Sequence, residues 1–364
     1  METKFILTPV TALLMAMGGA MLFFWVSSGR PLYSPGMARQ AQGFQALVNP
    51  EHRVQYEKDY WDVADGIKLY HFPDGDGETV LVVHGGPGFP VHKPWKGLSL
   101  LNESHTFQYY HQRGCGKSSH PVDTFSPRNY TKNVLALNAI LGLGQHISDI
   151  ERIRKILGQE KIIIIGHSFG GFLASLYAAE WPEHVKALVL VSPAAVLKMP
   201  SEGNLFEEIK KDMSPGMQKE YEEFLDRYFD YKDIFTKNEK DLSEINREFL
   251  KYFKAVLASN GQGIPFEKSD IKIAGNGGWM VHGVYMSMGN KHDYRDALKV
   301  VDAPVLILHG ENDITPLKGS RSYKKLLSNS RLRVIKGAGH FSFEEQPEAF
   351  AEAVGKFLAS VEAN

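Results

Sequence analysis

The chain has one cysteine and almost no net charge, and each scarcity excludes a class of protein. Because Cys115 has no second cysteine to pair with, no disulfide framework within the chain supports the fold. The 41 basic and 42 acidic residues give a formal net charge of −1, which predicts no general attraction to nucleic acid. No histidine spacing indicates a zinc site, and we expect neither a metal nor another cofactor.

The first 28 residues form a separate apolar segment. Residues Phe5 to Val26 carry no charge, and a helix of about 22 residues is roughly 33 Å long, enough to cross a bilayer. We therefore predict an N-terminal membrane helix that holds the large domain outside the cytoplasm. A signal peptide is the alternative, because Ser27-Ser28-Gly29 is compatible with cleavage. The protein would then be secreted or periplasmic.

Beyond this segment, short apolar runs alternate with helical patterns, which predicts an α/β fold with a mostly parallel sheet flanked by helices. From about residue 194 to 290 the charge rises and apolar residues recur at helical spacing, which predicts an inserted helical cap. The predicted organisation is therefore a membrane or signal segment (1–28), a first part of the core (29–193), the cap (194–290) and a second part of the core (291–364).

A Gly-x-Ser-x-Gly motif follows the apolar run at residues 162–165 and precedes a helical pattern. The motif reads Gly166-His167-Ser168-Phe169-Gly170. A strand-to-helix turn of this kind exposes the serine hydroxyl, and the N–H of Phe169 lies at a helix start without a partner inside the helix. Ser168 is therefore the predicted nucleophile.

A serine nucleophile needs a base and an acid that orients the base, and in this architecture they follow the serine in the order acid, then histidine. Asp313 lies in the loop after the predicted strand at residues 303–308, and His340 lies in the loop after the predicted strand at residues 331–335. Glu311 is the rival acid. We prefer Asp313, because Gly310-x-x-Asp313 has the spacing seen in this fold class.

A second oxyanion donor is expected from the loop after the predicted strand at residues 78–83. That strand runs directly into His84-Gly85-Gly86-Pro87-Gly88. The glycines let the backbone approach a substrate closely. The N–H groups of Gly86 and Phe169 are therefore the predicted oxyanion hole.

Three motifs together resemble the proline iminopeptidase family of α/β-hydrolases: the loop 84–88, the segment Gln112-Arg113-Gly114-Cys115-Gly116-Lys117-Ser118 and the turn at Ser168. The resemblance implies the α/β-hydrolase fold and a serine hydrolase, often one that removes an N-terminal proline from peptides. Two positions depart from the family pattern, since Phe169 replaces the usual tryptophan and His111 replaces an aspartate. The family's cap glutamates, which bind the substrate's amino group, have no match in context among Glu202, Glu207 and Glu208.

Three functions are open at this point: an iminopeptidase-type peptidase, a carboxylesterase or lipase-like hydrolase, and a non-catalytic binding protein on the same fold. The expected ligand is a small molecule or a peptide, and the membrane is a further partner through the N-terminal helix. Trp279, His282 and Tyr285, near the end of the cap, are predicted pocket walls from their position. The sequence does not indicate an oligomeric state.

Overall fold

The structure, a computed structural model, describes residues 29–40, 59–201, 205–262 and 277–363. The predicted membrane or signal segment, residues 1–28, lies outside these ranges. Within them, none of the helices is at once long enough and apolar enough to cross a bilayer.

Eight strands form one sheet in the described part of the chain, in the order β1-β2-β4-β3-β5-β6-β7-β8. The first two form a hairpin around the Asp65-Gly66 turn and pair antiparallel, as do β2 and β4, whereas the remaining neighbours are parallel. The strands are β1 Tyr60–Ala64, β2 Ile67–Asp74, β3 Glu78–Val83, β4 His105–Tyr110, β5 Ile162–His167, β6 Val185–Val191, β7 Val305–Gly310 and β8 Ser330–Ile335.

Apolar side chains cover both faces of the sheet, as strand β5 illustrates. All of its residues are buried, as expected for a central parallel strand. Because side chains alternate along a strand, Ile163 and Ile165 enter one apolar cluster, whereas Ile162 and Ile164 enter the cluster on the opposite face. The sheet therefore separates two apolar layers, and its parallel strands end at a common edge.

The helices flank this sheet or lie between β6 and β7. Asn129 and Asn238 begin two of them by accepting a hydrogen bond from the backbone N–H three residues later. The described helices between β6 and β7 fall in the predicted cap, whose exact boundaries stay a prediction. The α-helices are α1 Met37–Gln40, α2 Lys96–Ser99, α3 Tyr130–Leu141, α4 Leu143–Ile156, α5 Phe169–Glu180, α6 Leu205–Lys211, α7 Pro215–Tyr228, α8 Glu239–Ser259, α9 Trp279–Met288, α10 Leu317–Leu326, α11 Ser342–Glu345 and α12 Pro347–Glu362.

Residues 29–40, which we call the strap, lie against the core, and a buried carboxylate holds them there. Glu180, at the end of α5, accepts hydrogen bonds from the Tyr33 hydroxyl (2.7 Å) and from the N–H groups of Gly36 (2.7 Å) and Arg39 (3.1 Å). The N–H of Leu32 also donates to the Ser287 carbonyl at 2.8 Å. The strap therefore packs on the helix that begins just after Ser168.

Replacing Glu180 with alanine is expected to release the strap. A hydrogen bond to a charged group contributes about 1.5–3 kcal/mol, so losing this acceptor should raise the open population at least tenfold. Limited trypsin digestion, followed by mass spectrometry, would measure cleavage after Arg39, because Pro31 protects the bond after Arg30 from trypsin. Glu183→Ala is the control, because it removes only the exposed ion pair with Arg39. Equal cleavage of the two variants would contradict this role for Glu180.

Candidate active site

Ser168 occupies a tight turn between β5 and α5. Its backbone has φ 53° and ψ −120°, a region that non-glycine residues rarely adopt. The turn brings backbone segments so close that a Cβ on Gly166 would lie 2.5 Å from the Gly170 carbonyl oxygen, and a Cβ on Gly170 would collide with the carbonyl of Val83. The glycines of the motif therefore permit the turn that presents the serine at the strand end.

Asp313 and His340 form a buried pair beside this turn. His340 Nδ1 and Asp313 Oδ1 are 2.9 Å apart, so the ring donates through Nδ1 and Nε2 is left to act as a base. The same Asp313 oxygen accepts hydrogen bonds from the N–H of Thr315 (2.8 Å) and from its hydroxyl (2.9 Å). Three hydrogen bonds thus converge on one oxygen of Asp313, and they fix both the carboxylate and the orientation of His340.

The electrostatics of the pair favour an ionised Asp313. Burial by itself would raise the pKa of this carboxyl, but the charge and the hydrogen bond of His340 outweigh burial and hold the pKa well below its usual range. The rival acid, Glu311, is exposed and accepts a hydrogen bond from the N–H of Gly337 at 2.9 Å. The structure therefore brings Asp313, rather than Glu311, to His340.

The predicted oxyanion donors are both available. Neither the Gly86 N–H nor the Phe169 N–H donates a hydrogen bond to another described residue. The loop that carries Gly86 is fixed by His84, whose Nδ1 donates to the Gly85 carbonyl (2.8 Å) while its Nε2 accepts from the N–H of Gln112 (3.1 Å). The Gln112 side chain in turn donates to the His84 carbonyl at 2.8 Å.

Two residues that the sequence did not single out position the loop of His340. His167 Nε2 donates to the backbone carbonyl of His340 at 2.9 Å, and the two rings lie 4.8 Å apart. From the other side, the Glu345 carboxylate accepts hydrogen bonds from the N–H groups of Gly339 (2.6 Å) and Phe341 (3.1 Å). The loop is therefore held at three successive residues.

Two cavities meet at Ser168 and Gly86. We call the smaller one the His340 pocket. It encloses about 780 Å³ including its open mouth, and its described lining includes His340, Trp95, Phe249, Phe253, Phe341 and Phe343. We call the larger one the large pocket. It encloses about 2200 Å³ on the same measure, and its described lining includes Phe169, Tyr130, Phe206, Phe229, Tyr285 and Met286. Residues of the strap, Gly29, Arg30 and Leu32, also line the large pocket.

The three predicted pocket walls occupy different places. Tyr285 lines the large pocket. Trp279 is fully buried, and its indole N–H donates to the Asp123 carbonyl at 2.8 Å. His282 is buried beside Tyr228, with ring centroids 5.6 Å apart. Neither Trp279 nor His282 lines either cavity, because the inner face of α9 packs on the core helix α3.

Among the described residues, one group has the geometry to hold a metal ion, and it lies away from Ser168. It consists of Glu78, His105 and Glu362. Two of these residues begin β3 and β4, at the edge opposite to Ser168, and Glu78 already pairs with Lys186. The group therefore has no part in the candidate site.

Buried histidines make the stability of the fold sensitive to acid. Burial lowers the pKa of His84 to about 4 and that of His111, His146, His167 and His282 to about 3. Between pH 6.5 and these values the unfolded chain binds protons that the folded chain does not bind. The free energy of unfolding is therefore expected to fall as the pH falls from 6.5 to 4, by up to about 1.4 kcal/mol per pH unit for each histidine.

Guanidinium unfolding at several pH values between 7 and 4.5 would measure this slope. His146→Gln is expected to flatten it by about one proton. His120→Gln is the control, because the pKa of His120 is shifted in the opposite direction. Burial lowers this pKa, but the hydrogen bond and the charge of Glu239 outweigh burial and raise it. A slope unchanged by His146→Gln would contradict the assignment.

Known proteins resemble this chain in sequence and in fold. The family described as alpha/beta hydrolase fold matches residues 78–347. A proline iminopeptidase from Heyndrickxia coagulans is 26% identical over 312 residues, which cover 84% of this chain and 100% of that protein. A proline iminopeptidase from Lactobacillus delbrueckii subsp. bulgaricus is 29% identical over 294 residues, covering 78% and 91%.

The fold agrees with a solved structure of the same kind. The crystal structure of a proline iminopeptidase from Mycobacterium smegmatis matches with a TM-score of 0.56 and 18% identity, over 82% of this chain and 96% of that one. The predicted mostly parallel sheet flanked by helices is thereby confirmed. The chain belongs to the alpha/beta hydrolase fold family and is a hydrolase similar to proline iminopeptidases.

Proposed function

We propose that this hydrolase cleaves an amide or ester through an acyl-enzyme on Ser168. The observation that carries the proposal is the buried Asp313–His340 hydrogen bond, with His340 and Ser168 lining one cavity. His340 takes the Ser168 proton as the hydroxyl attacks the carbonyl, and Asp313 stabilises the resulting imidazolium. The Gly86 and Phe169 N–H groups stabilise the oxyanion. Water activated by His340 then releases the acyl group.

The relatives favour the release of an N-terminal residue from a peptide. Such a substrate carries an ammonium group on its acyl side and needs a negative charge there. Of the three cap glutamates weighed from the sequence, Glu207 lines the large pocket, Glu208 pairs with Lys211 at 2.7 Å, and Glu202 lies outside the described residues. Glu207 is therefore the proposed partner of the substrate's amino group.

A carboxylesterase activity is the second candidate, because both cavities have mainly apolar and aromatic walls in the described part of the chain. The two activities differ in their need for a charge on the acyl side. Glu207→Gln is expected to lower kcat/KM for prolyl p-nitroanilide at least tenfold, the size of one charge-assisted hydrogen bond. The same change should leave hydrolysis of an uncharged p-nitrophenyl ester within about twofold, since an ester offers no ammonium group.

Glu208→Gln is the matched control, because its carboxylate does not line either cavity. A fluorophosphonate probe tests the reaction class itself, and labelling confined to Ser168 is the expected result. Folded protein that the probe leaves unlabelled would favour a non-catalytic binding protein. Activity on esters but not on prolyl p-nitroanilide, unchanged by Glu207→Gln, would favour the esterase.

We also propose that residues 5–26 anchor the hydrolase to a membrane, with the catalytic domain outside the cytoplasm. The uncharged run of about 22 residues supports an anchor. The helices between β6 and β7 serve in this proposal as a cap over the strand ends. Carbonate extraction of membranes, with a deletion of residues 1–28 as the comparison, would distinguish an anchored protein from one released after signal cleavage.

A further inference from the structure

The two cavities at Ser168 have different chemical neighbours. Ser168 and Gly86 line both of them, but His340 lines only the smaller one and Phe169 only the larger. The nucleophile therefore stands at a junction. A substrate carbonyl held there has room for one substituent in each cavity.

The reaction on Ser168 assigns the substituents to the cavities. In acylation the Oγ–C bond forms, the serine proton passes to His340 Nε2, and that proton moves to the leaving group as the bond to the leaving group breaks. The leaving atom must lie within hydrogen-bond reach of the imidazole. In deacylation, water attacks from the position that the leaving group has vacated and gives a proton to His340 Nε2, which protonates Ser168 Oγ as the bond between Oγ and the acyl carbon breaks. The acyl group therefore stays on the side away from His340 in both steps.

We propose that the His340 pocket receives the leaving group, and that the large pocket receives an acyl group that is apolar and bulkier than a prolyl group. This inference rests on the proposed function. It fixes the side of the site on which specificity for the acyl group arises, and it names the chemical class of that group.

The walls of the large pocket support a bulky apolar occupant. Tyr130, Phe206, Phe229 and Met286 lie along it, and Phe206 packs edge-on to Phe229 with ring centroids 5.1 Å apart. Its charged residues in the described part of the chain are Arg30, Glu207 and Lys291, and all three are exposed. Its volume is nearly three times that of the His340 pocket, so a five-membered ring would leave most of the apolar surface wet.

Two kinds of acyl group have this chemistry: an aliphatic chain and an N-terminal residue with a large apolar side chain. Hydrolysis of p-nitrophenyl acetate, butyrate and octanoate, compared with prolyl, leucyl and phenylalanyl p-nitroanilides, separates them. Because each buried methylene favours binding by about fourfold, the longer member of at least one series should react at least tenfold better in kcat/KM. Preference for acetate and for the prolyl substrate in both series would overturn the proposal.

Two narrowing variants test which cavity is which. Met286→Trp narrows the large pocket and is expected to lower the preference for the longer acyl group at least tenfold. Val91→Trp narrows the His340 pocket, which Val91 lines. It should leave that preference unchanged and should alter the ratio of phenyl to methyl ester hydrolysis for one acyl group.

Deacylation provides an independent readout, since esters that share an acyl group pass through the same acyl-enzyme. Met286→Trp should change the deacylation rate measured after the burst, whereas Val91→Trp should change only the burst itself. The reverse pattern would overturn the assignment of the pockets. Fluorophosphonate labelling of Ser168 in each variant shows that the site is intact. A wild-type chain that neither labels nor hydrolyses any substrate would instead refute the proposed function.

Discussion

Ser168→Ala and His340→Ala are each expected to lower kcat by about 10⁶-fold, and the double variant should be little worse than either single one. The reason is that the hydroxyl and the imidazole act as a unit: without the base the serine is not activated, and without the serine the base has nothing to deprotonate. The measurement is kcat for the best p-nitrophenyl or p-nitroanilide substrate, with near-UV circular dichroism to verify the fold.

Ser322→Ala is a suitable control, because this exposed serine lies on α10 and its hydroxyl donates a hydrogen bond to the Lys318 carbonyl. Alanine at position 168 must still adopt the positive φ of the turn. Because serine and alanine both carry a Cβ, the substitution adds no backbone strain, and the fold itself should tolerate it. If the double variant lost the product of the two single effects, Ser168 and His340 would be acting independently and the proposed mechanism would be wrong.

Asp313→Asn is expected to lower kcat by about 10⁴-fold while the fold is retained. An asparagine oxygen can still accept the hydrogen bonds of Thr315, but it has no charge with which to stabilise the imidazolium of His340. Since His340 holds the pKa of Asp313 well below its usual range, with burial acting against it, the wild-type group is charged whenever the reaction needs it.

Glu311→Gln provides the matched control for Asp313→Asn. The two acids are two residues apart, yet the side chain of Glu311 accepts from Gly337 and does not contact His340. Its replacement should change kcat by less than threefold, the range of a lost surface interaction. A large loss in Glu311→Gln with a small loss in Asp313→Asn would exchange the roles of the two acids.

Much of the candidate site was predictable because its residues lie in short sequence patterns. The strand at residues 162–165, the glycines around Ser168 and the loops after β7 and β8 can each be recognised within a short window. The C-terminal helix is recognisable in the same way, because it begins at Pro347 and its buried residues Phe350, Val354, Phe357 and Leu358 recur at helical spacing.

Contacts between distant parts of the chain were not predictable in this way. His167 seemed only a neighbour of the nucleophile, but it donates to a carbonyl 173 residues away. Trp279 and His282 lie in an aromatic helical stretch, and such a pattern fits a core face as well as a pocket wall. The two cavities arise from side chains of many elements and have no counterpart in any single motif.

The strap has a geometric consequence for the proposed anchor. Its first described residue directly follows the apolar segment, and three of its first four residues, Gly29, Arg30 and Leu32, line the large pocket. A domain tethered by a long, free linker could turn in any direction above a bilayer. In the proposed anchor, only residues 27 and 28 separate the uncharged run from the strap. The large pocket would then stay near the headgroups and would admit molecules that travel within the lipid plane.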